Sequence, residues 1–70
     1  MLQFKVTASS LNVRQTPSLQ GAIIGALAEN DIVEQLDTSE DQKWLKVHKD
    51  ALVGWSSQTF LTLLSTHPTL

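Results

Sequence analysis

Lys43-Trp44-Leu45-Lys46-Val47-His48-Lys49-Asp50-Ala51-Leu52-Val53-Gly54-Trp55 is the stretch whose reading decides the fold. β-Forming residues flank a short polar break at 49–51, a pattern that predicts two strands joined by a tight turn, with Asp50 as turn former. The stretch also holds both tryptophans of a chain with only four aromatic residues. Each indole can bury roughly 150–250 Å², so a domain this small is expected to pack around them.

Outward from that hairpin, the preceding segment is dense in charge. Six of the seven acids (Glu29, Asp31, Glu34, Asp37, Glu40, Asp41) fall between 29 and 41, and three of the five basic residues (Lys43, Lys46, Lys49) follow directly. A hairpin of 31–37 against 43–49, closed by 38–42, sets Asp37 opposite Lys43, Glu34 opposite Lys46 and Asp31 opposite Lys49. Facing opposite charges contribute roughly 0.2–1 kcal/mol each. This register pairs Val33 with Val47 and Leu36 with Trp44. Alternation then places Val33, Leu45 and Val47 on the core face, and Trp44, Lys46, Glu34 and Leu36 on the other. Two solvated charge runs are the simpler reading of the same residues.

Toward the N-terminus, 4–8 alternates apolar and polar residues and reads as a first strand, broken at Ser9-Ser10. Leu11-Asn12-Val13-Arg14 resumes the alternation, with Leu11 and Val13 on one face. A loop over 16–21 follows from Pro17 and Gly21. Residues 22–27 form a short strand or diverging turn, with Gly25 marking a bend or close approach. After Trp55, 56–59 suits one 3-10 turn, and 60–64 returns as a closing strand. The expected core is Val6, Leu11, Val13, Ile24, Leu27, Val33, Leu45, Val47, Gly54, Trp55 and Leu61, with Trp55 sealing the barrel end. Residues 1–64 make one domain, and 65–70, with Pro68, read as a fraying tail or linker.

Composition bounds the rest. A 70-residue chain buries only about 60% of the surface its unfolded form exposes. There is no cysteine to staple it, so a compact topology with short connections must supply the stability. A net charge of −2 gives nonspecific nucleic-acid binding no electrostatic basis. No apolar run reaches the ~18 residues of a membrane span, and the N-terminus lacks a basic-then-apolar secretory signature. Met1 reads as a native start or as an initiator before an excised domain. Five or six short strands without a helix predict an all-β chain: a small, strongly bent antiparallel barrel with one 3-10 turn before its last strand.

Val6-Thr7-Ala8, Leu11-Asn12-Val13-Arg14 with Pro17, Ile24-Gly25-Ala26-Leu27, Trp44-Leu45-Lys46-Val47 and Gly54-Trp55, in this order and spacing, resemble the bacterial Src-homology-3 family, the SH3-like barrel. The resemblance covers about residues 4–64. It implies an accessory binding or targeting module, set in many members beside a cell-wall hydrolase and contacting peptidoglycan or the partner domain. That implies an envelope or extracellular setting. The family often has glycine where this chain has Asn30 and Ala51. The stretch 54–61 also resembles the eukaryotic branch, but Ser57 stands for its proline and Phe60 for its tyrosine, and the chain has no tyrosine. Docking of a polyproline helix on aromatic ridges is accordingly disfavoured.

The candidate ligand-binding residues are Trp44, Asn12, Arg14 and Phe60. Trp44 reads either as an exposed platform between the Arg14 loop and the 38–42 loop, or as a partly buried cover over Leu36. Asn12 and Arg14 read as clamps on the loop they open, with Arg14 able alternatively to pair a ligand carboxylate. His48 and His67 are isolated, so neither a catalytic constellation nor a metal site is expected, and no cofactor. The expected role is a monomeric, non-catalytic module that binds peptide or wall peptide and positions a tethered hydrolase. The alternative is a domain that docks onto a neighbour within a larger, possibly cytoplasmic, protein. Neither nucleic acid nor membrane is an expected partner.

Overall fold

The computed structural model describes residues 2–64; Met1 and the expected tail at 65–70, with His67, lie outside the described residues. Among the described residues seven strands form: β1 Gln3–Val6, β2 Ser10–Arg14, β3 Ile23–Ala28, β4 Ile32–Thr38, β5 Trp44–Lys49, β6 Leu52–Ser57 and β7 Leu61–Leu64. One 3-10 turn, Gln58–Phe60, precedes β7. The strands pair antiparallel throughout, in the order β3-β2-β6-β5-β4-β1-β7. The chain is thus all-β, a bent SH3-like sheet left unclosed at its two end strands. The 3-10 turn starts two residues later than expected, because β6 runs on through Ser57.

The core follows from strand alternation. Phe4 and Val6, Leu11 and Val13, Leu27, Val33, Leu45 and Val47, and Leu61 are buried, with Leu52 packed against them. Phe4 belongs to this set because it shares a face with Val6. Two expected core residues do not. Val13 faces Gly25 and Arg14 faces Ile23, so Ile24 is the extra residue of a bulge and stands 46% exposed. Trp55 is only half-buried: it lies opposite both Arg14 and Lys46, on the outward face of three strands. Trp44 lies opposite Ser57 on that same face. The core is therefore built from aliphatic side chains and Phe4, and the two indoles stand on the outward face of β5 and β6.

The expected charge register of the β4–β5 hairpin is not adopted. Glu34 faces His48, Gln35 faces Val47, Asp37 faces Lys46 and Thr38 faces Leu45, with a shift between Gln35 and Asp37. Leu36 is the extra residue there; it stands exposed and does not pair with Trp44. Val33, Leu45 and Val47 stay buried all the same. Pairs worth a few tenths of a kcal/mol do not outweigh the burial of a whole apolar face at about 25 cal/mol per Å². Asp31 finds a different partner, since its carboxylate accepts the Ala28 N–H at 2.8 Å. Asn30 takes a positive φ of 72°, which asparagine tolerates. At the β5–β6 turn the positive φ falls on Asp50 (54°), the first central position of a hairpin turn.

β6 closes on β2 through a single facing pair, Arg14 and Trp55. Gly54 makes that approach possible: a Cβ there would lie 2.8 Å from the Arg14 carbonyl oxygen and 2.6 Å from Val13 Cγ1. Next to it the fully buried Ser56 donates its hydroxyl to the Asn12 carbonyl at 3.1 Å, so its burial leaves that hydroxyl satisfied. Gly54→Ala should lower the unfolding free energy by about 1–3 kcal/mol, read from chemical denaturation. A wild-type midpoint would contradict the closure described.

Candidate functional site

Two loops rise on the same side of the sheet once β6 meets β2. The first, residues 15–22, is tied at its base by Gln15 N–H to the Ala22 carbonyl (2.8 Å) and inside by Gly21 N–H to the Ser18 carbonyl (3.0 Å). Arg14 closes it from below, donating from Nη1 to the carbonyls of Leu19 (2.9 Å) and Gly21 (3.0 Å). The result is a folded loop that holds Leu19 outward, 75% exposed.

The second loop, 39–43, folds around Ser39. Its hydroxyl donates to Asp41 Oδ1 at 2.6 Å and accepts the Trp44 N–H at 3.1 Å. Its own N–H donates to the Trp44 carbonyl at 2.9 Å, and its carbonyl accepts the Gln42 N–H at 2.9 Å. Asp41 Oδ1 takes a second donor, the Lys43 N–H, at 3.0 Å. Gln42 reverses the chain with φ 61°.

Between the loops lies a groove of about 800 Å³. Pro17, Ser18, Leu19 and Gln20 form one wall, Asp41, Gln42, Lys43 and Trp44 the other, and residues 57–60 close one end. Trp44 and Phe60, the latter 44% exposed, are its aromatic surfaces. Of the four candidate residues these two line the groove. Arg14 does not; it holds one wall from behind, and both of its bonds go to the loop. Asn12 is exposed beyond the groove and contributes its backbone carbonyl to Ser56. Leu19 and Asp41, which line the groove, and Ser39, which ties the second loop without lining it, are residues that sequence reasoning missed. A serine two positions before an aspartate is a turn signal, but nothing local marks an exposed leucine as presented.

A smaller hollow of about 440 Å³ lies beside the groove, lined by Trp55 and Pro17 together with Asp37, Glu40 and Asp41. Among the described residues Lys49 and Asp50 form an ion pair at 3.6 Å, and His48 Nδ1 lies 3.6 Å from Glu34 Oε1. Both are solvent-exposed and away from the groove, so they add little. The Ser39 hydroxyl, followed by the Lys43 N–H and the Lys43 charge, holds the Asp41 carboxyl below its ordinary value of 3.8.

Residues 9–62 match the family model of the bacterial SH3 domain. No curated protein matches the chain.

Because the bonds favour ionised Asp41, their contribution is full above the unfolded carboxyl pKa and is lost as pH falls through the lower folded one. In an NMR titration the Asp41 carboxyl should show a midpoint below 3.8, moving upward in Ser39→Ala. An unmoved midpoint would contradict the Ser39–Asp41 bond. Arg14→Lys keeps the charge but not the fork that reaches two carbonyls. It should speed amide exchange at Gly21, whereas unchanged exchange would show that Arg14 does not hold the loop.

Proposed function

The chain belongs to the bacterial SH3 domain family, a family of binding modules, and from that premise we propose that its groove receives a cell-wall peptide and so positions a tethered hydrolase. The observation that carries this reading is the Trp44 and Phe60 surface set between two internally bonded loops. Loops already ordered before binding lose little conformational entropy on association. The indole offers an apolar face and one N–H donor. Gln20, Gln42, Gln58, Ser18 and Thr59 offer amide and hydroxyl groups that match a peptide backbone. An open groove with aromatic anchors and convergent polar groups is the form that recognition sites take.

The family resemblance and this chemistry together support the wall peptide as ligand. A net charge of −2 and the near neutrality of the groove, with Asp41 and Lys43 as its charged lining, do not favour a polyanion.

Sedimentation with purified peptidoglycan tests the reading. Wild-type protein should pellet with the wall, and isolated stem peptide should compete it off. Trp44→Ala, with an unchanged melting temperature, should weaken retention about tenfold, roughly 1.4 kcal/mol; Asn12→Ala should leave it unchanged. Wild-type protein wholly in the supernatant would overturn the wall ligand and favour docking onto a neighbouring domain.

A further inference from the structure

We infer that Ser39 and Asp41 are positioning residues of the groove: their hydrogen-bonded latch holds Lys43 and Trp44 in ligand-ready geometry and sets affinity without setting the fold. The inference rests on the reading that the groove binds, and adds what controls that binding.

The latch is local and complete. Ser39 grips Trp44 at both backbone groups, through its hydroxyl at 3.1 Å and its N–H at 2.9 Å. Asp41 binds the Ser39 hydroxyl at 2.6 Å and the Lys43 N–H at 3.0 Å through one oxygen, so the two side chains act as a unit. The loop that they close contains three of the four residues of one groove wall, and Trp44 is the fourth. On the far side, the Lys43 carbonyl accepts the Gln58 N–H at 2.9 Å, which joins this wall to the 3-10 turn that carries Phe60. Displacing Lys43 therefore disturbs both aromatic surfaces.

None of this enters the core. Ser39 is half-buried and Asp41 exposed, and neither touches the closure of β6 on β2 at Gly54 and Ser56. Loss of the latch leaves the buried apolar set in place and frees residues 39–43 to sample other conformations. A ligand must then reorder the loop as it binds, and the entropy of that ordering subtracts from affinity.

The test compares Ser39→Ala, Ser39→Thr, Asp41→Ala and Asp41→Asn, with Glu40→Ala as a neighbouring control. It uses two readouts: amide hydrogen exchange of the free protein and sedimentation with purified peptidoglycan. Ser39→Ala and Asp41→Ala should speed exchange at Lys43 about tenfold or more, and Ser39→Ala should do so at Trp44 as well. Protection at Val33, Leu45 and Val47 should stay within about twofold of wild type, and the melting temperature should fall by no more than a few °C, the small contribution of exposed bonds. Retention on the wall should fall about tenfold in both alanine variants. Thr and Asn keep the hydroxyl and the accepting oxygen, and should restore protection and retention; Glu40→Ala should change neither.

Unchanged exchange at Lys43 and Trp44 in Ser39→Ala would overturn the latch. So would undiminished retention despite a loosened loop, because affinity would then not depend on it. Wild-type protein that ignores peptidoglycan, while Ser39→Ala selectively frees these amides, would overturn the wall ligand and uphold the latch as what orders the wall.

Discussion

The close approach of β6 to β2 at Gly54 is the constraint on which the molecule depends. A side chain at that position would occupy space taken by the Arg14 carbonyl and Val13 Cγ1. With hydrogen there instead, the two strands meet, the buried Ser56 hydroxyl finds the Asn12 carbonyl, and the two loops come to stand beside one another. Without that contact each loop would still have its internal bonds, but there would be no groove between them. Fold and site are thus joined at one small residue rather than at the tryptophans.

The tryptophans show how a thin core is managed in a chain of 70 residues. Trp44 alternates with buried Leu45, and Trp55 lies between Gly54 and Ser56, so both indoles point outward. Valines, leucines and Phe4 fill the interior. The two indoles lie on the outward face, where Trp44 lines the groove. Trp55 faces Arg14 on one neighbouring strand and Lys46 on the other.

What could be read from the sequence divides along the same physical line. The period of two is written into each strand, so the buried faces of β2 and β5 follow from Leu11, Val13, Leu45 and Val47 directly. Register is written less firmly. Charges at 31–49 favour one alignment by small increments, whereas bulges at Ile24 and Leu36 depend on how the whole sheet bends. Ile24 was therefore expected inside and stands outside, and the acids that were expected to face lysines face His48 and Lys46 or turn back on their own loops. At the site, Trp44 and Phe60 are legible as aromatic residues beside turns. Arg14 is legible as a clamp at the mouth of its loop. The Ser39–Asp41 bond and the exposure of Leu19 emerge only when the loops are folded.

Together these features describe a member of a binding-module family whose candidate groove is made by loops, while the alternation of the strands supplies the support. The most direct measurement is an amide and indole chemical-shift map of the labelled protein titrated with a soluble peptidoglycan fragment that retains its stem peptide. The account predicts saturable shifts at Leu19, Gln42, Lys43, Thr59, Phe60 and the Trp44 indole N–H, the groove between the two loops. Shifts confined to Ile32, Glu34, His48 and Val53, away from the groove, or none at all at saturating fragment, would contradict it.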